Sequence, residues 1–208
     1  MDYIKETINF YNQNVDEYIK KTSDLQDKDW LEKFISYIPK HGSILDIGCA
    51  FGRDTNFFVS KNYDSTGIDL SEKMIIKAKE FVANAKFFVM NMLNLDFDEN
   101  SFDGVWCSAA LLHLNKEDSL KALKEIKRVL RPAGVLYLNL KEGSGEKFII
   151  DDRYKNAKKF YSYYNEVEIK DILHENGFEL QNFVLEKKPG QNYKNTGIIY
   201  LIARNIGF

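Results

Sequence analysis

The chain has 208 residues, of which 44% are hydrophobic and 29% charged, with a formal net charge of −2. That length suits one large domain able to bury most of its apolar surface, and the composition is globular rather than disordered. The near-zero charge lacks the basic excess of a non-specific phosphate binder, and interleaved runs such as Glu117-Asp118 and Lys124-Glu125 read as solvated helix faces, so no nucleic-acid partner is expected.

From the start, Ile4, Ile8, Tyr11, Val15, Tyr18 and Ile19 recur at three- and four-residue steps, which predicts a helical N-terminal cap over residues 1–40. Its second helix runs from Asp27 or Lys28 to Tyr37 and is stopped by Pro39-Lys40-His41-Gly42. Met1 to Glu6 holds no apolar signal core, and no window approaches the ~20 apolar residues of a membrane span. With Cys49 and Cys107 forming no disulfide framework, a soluble cytoplasmic protein is expected. His41, His113 and His174 have no zinc-ligand spacing, so no metal is expected.

From Ser43, short apolar runs alternate with amphipathic helices. Strands are predicted at 44–47, 63–68, 86–90, 102–108 and 135–140, with helices at 54–60, after the N-cap Ser71 to Val82, and from Lys116 to Leu130. Residues 43–140 thus read as parallel βαβ units, and continuous apolar runs such as Val135-Leu136-Tyr137-Leu138 predict burial on both faces. A polar segment follows, then a helix near Glu166–Glu175. Two last strands, from Gly177-Phe178 to Glu186 and from Thr196 to Ala203, are separated by Pro189-Gly190 and Asn192 and form an antiparallel hairpin. The whole is a doubly wound, seven-stranded α/β sheet, mostly parallel, with helices on both faces.

The segment Asp46-Ile47-Gly48-Cys49-Ala50-Phe51-Gly52 takes a strand through a turn of small residues into a helix, where backbone can approach a ligand beyond the carboxyl ends of the strands. Asp69, ending the second strand, can accept hydrogen bonds from both hydroxyls of a ribose.

On these residues the chain resembles the class I S-adenosylmethionine-dependent methyltransferases of the small-molecule type, over 43–140 by motif and over the terminal hairpin by pattern. The resemblance implies a Rossmann-like fold and S-adenosylmethionine as cofactor, with S-adenosylhomocysteine as product. It implies that the Gly48, Cys49, Ala50 and Gly52 loop carries the methionine end, with Ala50 where glycine is frequent. Asp69 is then the ribose acid and Leu70 the apolar residue against adenine. Met90-Asn91-Met92-Leu93-Asn94-Leu95 matches the third motif, with Asn91 in place of the commoner Asp; its carbonyl oxygen still suits the adenine amino group. Met92 would cover the ring beside Leu93, and Cys107 lies where the fourth strand faces the methionine portion. Ile126 to Gly134 resembles the passage from helix to fifth strand.

Several residues admit two readings. Asp46 either organises the loop or touches the cofactor. Arg53 meets the cofactor carboxylate or is a solvated helix-start arginine. Tyr11 and Tyr18 close over the cofactor or fill a core stripe. Cys49 and Cys107 are expected as small space-fillers near the pocket rather than nucleophiles. His113 packs or caps the next helix, with a general-base role as the alternative. Phe160-Tyr161-Ser162-Tyr163-Tyr164 reads as an element edge, with an acceptor-pocket lining as the alternative.

The acceptor, expected to be a small molecule, is placed between the N-terminal helices and the segment from Lys141 to Asn165, within an acceptor-side region spanning 141–208. The chain is expected as a monomer or homodimer. Two rival functions have distinct signatures. A nicotinamide-dependent oxidoreductase would carry Gly-x-Gly-x-x-Gly, whereas this chain has Gly48-x-Ala50-x-Gly52. A catalytically silent cofactor-binding partner module would retain the motifs without turnover.

Overall fold

The structure, a computed structural model, describes residues 2–154, 157–187 and 197–207. Pro189, Gly190, Asn192 and Thr196, placed in the last connection and strand, lie outside the described residues. The N-terminal segment forms three helices, α1 (Asp2–Gln13), α2 (Val15–Thr22) and α3 (Lys28–Ile35). Asn14 breaks the first stripe: its side-chain amide donates to the Phe10 carbonyl at 2.8 Å, competing with the helical ladder. Asp27 caps α3 by accepting from the Trp30 N–H.

The alternating core follows as β1 (Ser43–Ile47), α4 (Arg53–Ser60), β2 (Asp64–Asp69), α5 (Glu72–Phe81), β3 (Lys86–Val89), β4 (Phe102–Ser108), α6 (Lys116–Val129) and β5 (Leu130–Glu142). Ser71 caps α5 through the Met74 N–H, and Asn115 caps α6 through the Asp118 N–H. Strands β3-β2-β1-β4-β5 pair in parallel in that order. After β6 (Glu146–Asp151), β7 (Ala157–Tyr164) and α7 (Glu166–Glu175), β8 (Phe178–Glu186) and β9 (Ile198–Asn205) pair as an antiparallel hairpin, and β9 lies antiparallel to β5.

Among the described residues the sheet has nine strands rather than seven. The segment after β5, whose sequence reads only as polar, turns at Gly143-Ser144-Gly145 and forms the antiparallel pair β6–β7. Only Lys141 and Glu142 of β5 pair with β7, in parallel. The other edge of β5 is held by β9, so β7 occupies the edge that β4 has just vacated. Strand β7 therefore overhangs the carboxyl end of β4, and α1 packs on it: the Tyr3 and Phe160 rings are 4.6 Å apart.

One sheet face buries Leu45, Val105, Leu136, Leu138 and Leu201 with α6 and α7; the other buries Ile44, Trp106, Tyr137 and Ile202 with Trp30, Phe34 and Phe58. Period-two alternation assigns each strand residue to one face or the other. Among the described residues, no helix is long and apolar enough to cross a membrane.

Candidate active site

The register of β1 against β2 opposes Ile47 to Ile68, which brings the end of β1 beside Asp69. The Ile68 carbonyl then accepts from both the Gly48 N–H at 2.8 Å and the Cys49 N–H at 3.0 Å, folding the chain back on itself. Gly48 has φ +72°, and a Cβ there would lie 2.5 Å from the Ala110 Cβ. Only glycine lets the β1 loop approach the segment after β4 so closely. Ala50 (φ +48°) and Ala109 (φ +52°) flank this contact in left-handed backbone despite their side chains. Local strain of that kind concentrates at functional sites, and both residues line the cavity here.

Asp69 is the anchor. Its Oδ2 accepts from the Ala50 N–H at 3.0 Å and its Oδ1 from the Ser71 N–H at 2.8 Å. Burial raises its pKa, while the Ser71, Ala50 and Leu70 N–H groups favour the carboxylate. A carboxylate offers about four acceptor positions, so both oxygens retain capacity toward the cavity.

That cavity, about 430 Å³, lies beyond the carboxyl ends of β1, β2, β4 and β5, where open α/β sheets bind ligands. One half is bounded by Gly48, Ala50, Asp69, Leu70, Met90 and Met92, with Ile4 and Ile8 of α1 above. Next to it, Arg53 forks onto Asp54 at 2.8 and 3.1 Å and donates to the Thr22 carbonyl at 2.9 Å. Asp54 also accepts from the Trp106 indole N–H, at 3.1 Å. Arg53 thereby fixes the end of α2 over the first loop. Its cavity-facing placement and the two N–H groups beyond those bonds keep a cofactor carboxylate within its chemistry.

The far half is built from Tyr11, His113, Asn139, Lys141, Tyr154, Lys159 and Tyr161. The His113 Nδ1 is 2.9 Å from the Phe160 carbonyl, which can only accept, so that nitrogen carries the proton. Nε2 then accepts from the Tyr11 hydroxyl at 3.0 Å. Burial, with the Lys159 and Lys141 charges, pushes the imidazole down to about 3. His113 is a neutral tie between α1, the β4 exit and β7, and its lone pair is already engaged.

Of the residues singled out in the sequence, Gly48, Ala50, Arg53, Asp69, Leu70, Met92, Tyr11, Tyr18 and His113 line the cavity. Asp46, Cys49, Gly52, Asn91, Leu93 and Cys107 are not in its lining, each for a structural reason. Asp46 shares a face of β1 with Ile44 and accepts from the Thr55 hydroxyl of α4 at 2.6 Å; burial and the nearby Asp54 hold its carboxyl well above the usual range. Cys49 packs with Ile75, Ala78, Val82 and Phe87, and Cys107 lies on the α6 face of β4, opposite the cavity-lining Trp106 and Ser108. Gly52 caps α4 with φ +82° against the Phe87 ring. The Asn91 Oδ1 accepts from the Leu93 N–H at 3.0 Å, closing a local turn, and Leu93 packs on the core. Sequence reading missed Met90, Tyr154, Lys141, Arg153 and Lys159. The turn glycines and aromatic-rich strands of 143–164 carried a signal for the last four.

A family model described as a methyltransferase domain matches residues 44–134, the stretch that contains the Gly48 loop, Asp69 and Met92. Over that stretch, under half of its length, the chain is similar to the class I S-adenosylmethionine-dependent methyltransferases. Demethylmenaquinone methyltransferase of Staphylococcus aureus is 33% identical over 145 residues, covering 64% of this chain and 59% of the relative. The chain spans about half to three-fifths of the length of curated relatives that it matches, from 47% to 60%. A SAM-dependent methyltransferase structure from Methanosarcina mazei superposes with TM-score 0.73 at 24% identity, covering 82% of this chain and 95% of that one. A second structure, 1,6-didemethyltoxoflavin-N1-methyltransferase of Burkholderia thailandensis with bound acceptor and S-adenosylhomocysteine, gives 0.78 at 18%, covering 99% and 90%. At such identities the superpositions speak for the fold alone.

Proposed function

We propose that this methyltransferase moves a methyl group from S-adenosylmethionine to a small-molecule acceptor. The observation that carries the reading is the Asp69 carboxyl, held by the Ala50 and Ser71 N–H groups at the cavity wall between the Gly48 loop and Met92. When bound, the cofactor would supply a methyl carbon made electrophilic by its sulfonium and open to in-line attack by the acceptor, with S-adenosylhomocysteine as the leaving group. The chain's own part is positioning. Asp69 accepts the ribose hydroxyls, Leu70 and Met92 pack the adenine, and Gly48 lets backbone approach the methionine portion. Helices α1 and α2 close the cavity and exclude water, with Tyr18 kept protonated by burial, its pKa raised to about 12. Residues 43–140 serve the cofactor, while residues 1–40 and 141–208 serve the acceptor within one domain.

The −2 charge favours a small acceptor over nucleic acid, and two buried thiols suit a reducing cytoplasm. The test is calorimetric titration with S-adenosylhomocysteine, with NADH as control. Binding of S-adenosylhomocysteine alone is expected; binding of NADH alone would overturn the reading.

A further inference from the structure

The cavity is electrically divided. Asp69 and the Arg53–Asp54 pair line its cofactor half, whereas Lys141, Arg153 and Lys159 converge on the other half. These three cations come from separate elements: the end of β5, the turn after β6, and β7. Lys159, only 3% exposed, pairs with the equally buried Asp151 at 2.9 Å, and its ammonium lies 4.0 Å from the Phe10 ring centroid. The same carboxylate takes the Arg153 Nε and Nη2, each at 2.9 Å. Asp151 thus holds two cations in place at the cavity edge. The Lys141 ammonium sits 5.2 Å from the Tyr161 ring centroid, on the side of β7 that carries Lys159. Lys141 and Lys159 both have lowered pKa values, with burial the leading cause and Arg153 contributing to each, as expected for cations brought together away from water.

Three cations against the one carboxylate of Asp151 give this end an excess of positive charge, which favours an anionic ligand. A protonated amine would be repelled from this end. The walls between the cations are rings, Tyr11, Tyr154, Tyr161 and the neutral His113, which suit a flat apolar body.

Building on the methyl-transfer reading, we propose that the acceptor is a small aromatic acid whose anionic group is seated against Lys141, Arg153 and Lys159. Its ring lies among Tyr11, Tyr154 and Tyr161, with the position to be methylated toward the Gly48 loop. The cations recognise the acceptor, and the cofactor is held independently of them by Asp69 and its neighbours.

The test uses the full chain saturated with S-adenosylhomocysteine and titrated with a panel of hydroxylated benzoates, phenyl phosphates and the matching benzamides. Binding is expected among the acids, with each matching amide at least tenfold weaker; the carboxylate and phosphate arms show which anion the site prefers. Lys141→Met, which leaves the Asp151 pair intact, should weaken the acids at least tenfold and leave S-adenosylhomocysteine affinity within twofold. Amides binding as well as acids, or no acid binding to the loaded protein, would overturn the proposal. Loss of S-adenosylhomocysteine affinity in Lys141→Met would assign the cations to the cofactor carboxylate and also overturn it. Failure of S-adenosylhomocysteine to bind the unaltered protein would instead sink the methyl-transfer reading itself.

Discussion

Replacing Asp69 with alanine separates the cofactor site from the fold that carries it. The carboxylate accepts two backbone N–H groups and, on the present reading, two ribose hydroxyls. A hydrogen bond to a charged group contributes about 1.5–3 kcal/mol net. Two bonds to one carboxylate are not additive, and cavity water replaces part of them in the variant. The expected loss is about 2–3 kcal/mol, or roughly 30- to 150-fold in Kd for S-adenosylhomocysteine. The fold loses less. The Ala50 and Ser71 N–H groups border the cavity and can turn to water, so stability should fall by only about 1–2 kcal/mol. Calorimetry for affinity and urea unfolding for stability measure the two quantities on one preparation. Unchanged affinity in a variant that unfolds cooperatively would refute the ribose assignment; collapse of the fold would show that Asp69 chiefly organises the loop.

Gly48→Ala should cost about 2–4 kcal/mol of stability, since its Cβ meets Ala110 at 2.5 Å in left-handed backbone, and it should also weaken cofactor binding. Gly145→Ala, with φ +76° but open space around its Cβ, isolates the backbone strain and should cost about 1–2 kcal/mol with no effect on affinity. For His113, a folded pKa below the unfolded value means stability is complete above about pH 6.5 and falls as pH drops toward the folded value of about 3. Its ring signals in NMR should therefore stay constant from pH 8 to 5, and His113→Ala should leave cofactor affinity within about twofold. An inflection near pH 6.5 assigned to His113 would contradict the buried neutral tie.

The half of the molecule proposed to hold the cofactor was legible because its signals are local and repeated. Strand β4 begins and ends at Phe102 and Ser108 as its apolar run predicts, and Ser71 caps α5 as its place before Glu72 suggests. Asp69 and Gly48 were legible for a related reason, since a strand end followed by a tight turn dictates where both point. Motif position alone was a weaker guide. Asp46 and Cys107 stand within matched segments, yet strand alternation turns them to α4 and α6. Lys159 escaped notice because a lysine beside another lysine reads as solvated, and its partner Asp151 lies eight residues away across a turn. Only the pairing of β6 with β7 brings them together.

The division of the cavity follows the division of the chain in part, with Ile4 and Ile8 of α1 reaching the first half and His113 reaching the second. Gly48, Ala50, Asp69, Leu70 and Met92 all fall within residues 44–134, the stretch that matches the methyltransferase family. Tyr11, Lys141, Arg153, Tyr154, Lys159 and Tyr161 all fall outside it. Side-chain bonds tie the two segments: the Ser162 hydroxyl donates to the Leu114 carbonyl, the Tyr164 hydroxyl to Ser119, and His113 joins the β4 exit to Tyr11 and Phe160. On the proposed reading, the matched stretch holds the cofactor, and α1 and the β6–β7 hairpin face the acceptor. There, Asp151 orients two of three converging cations, a placement that the cofactor half has no use for.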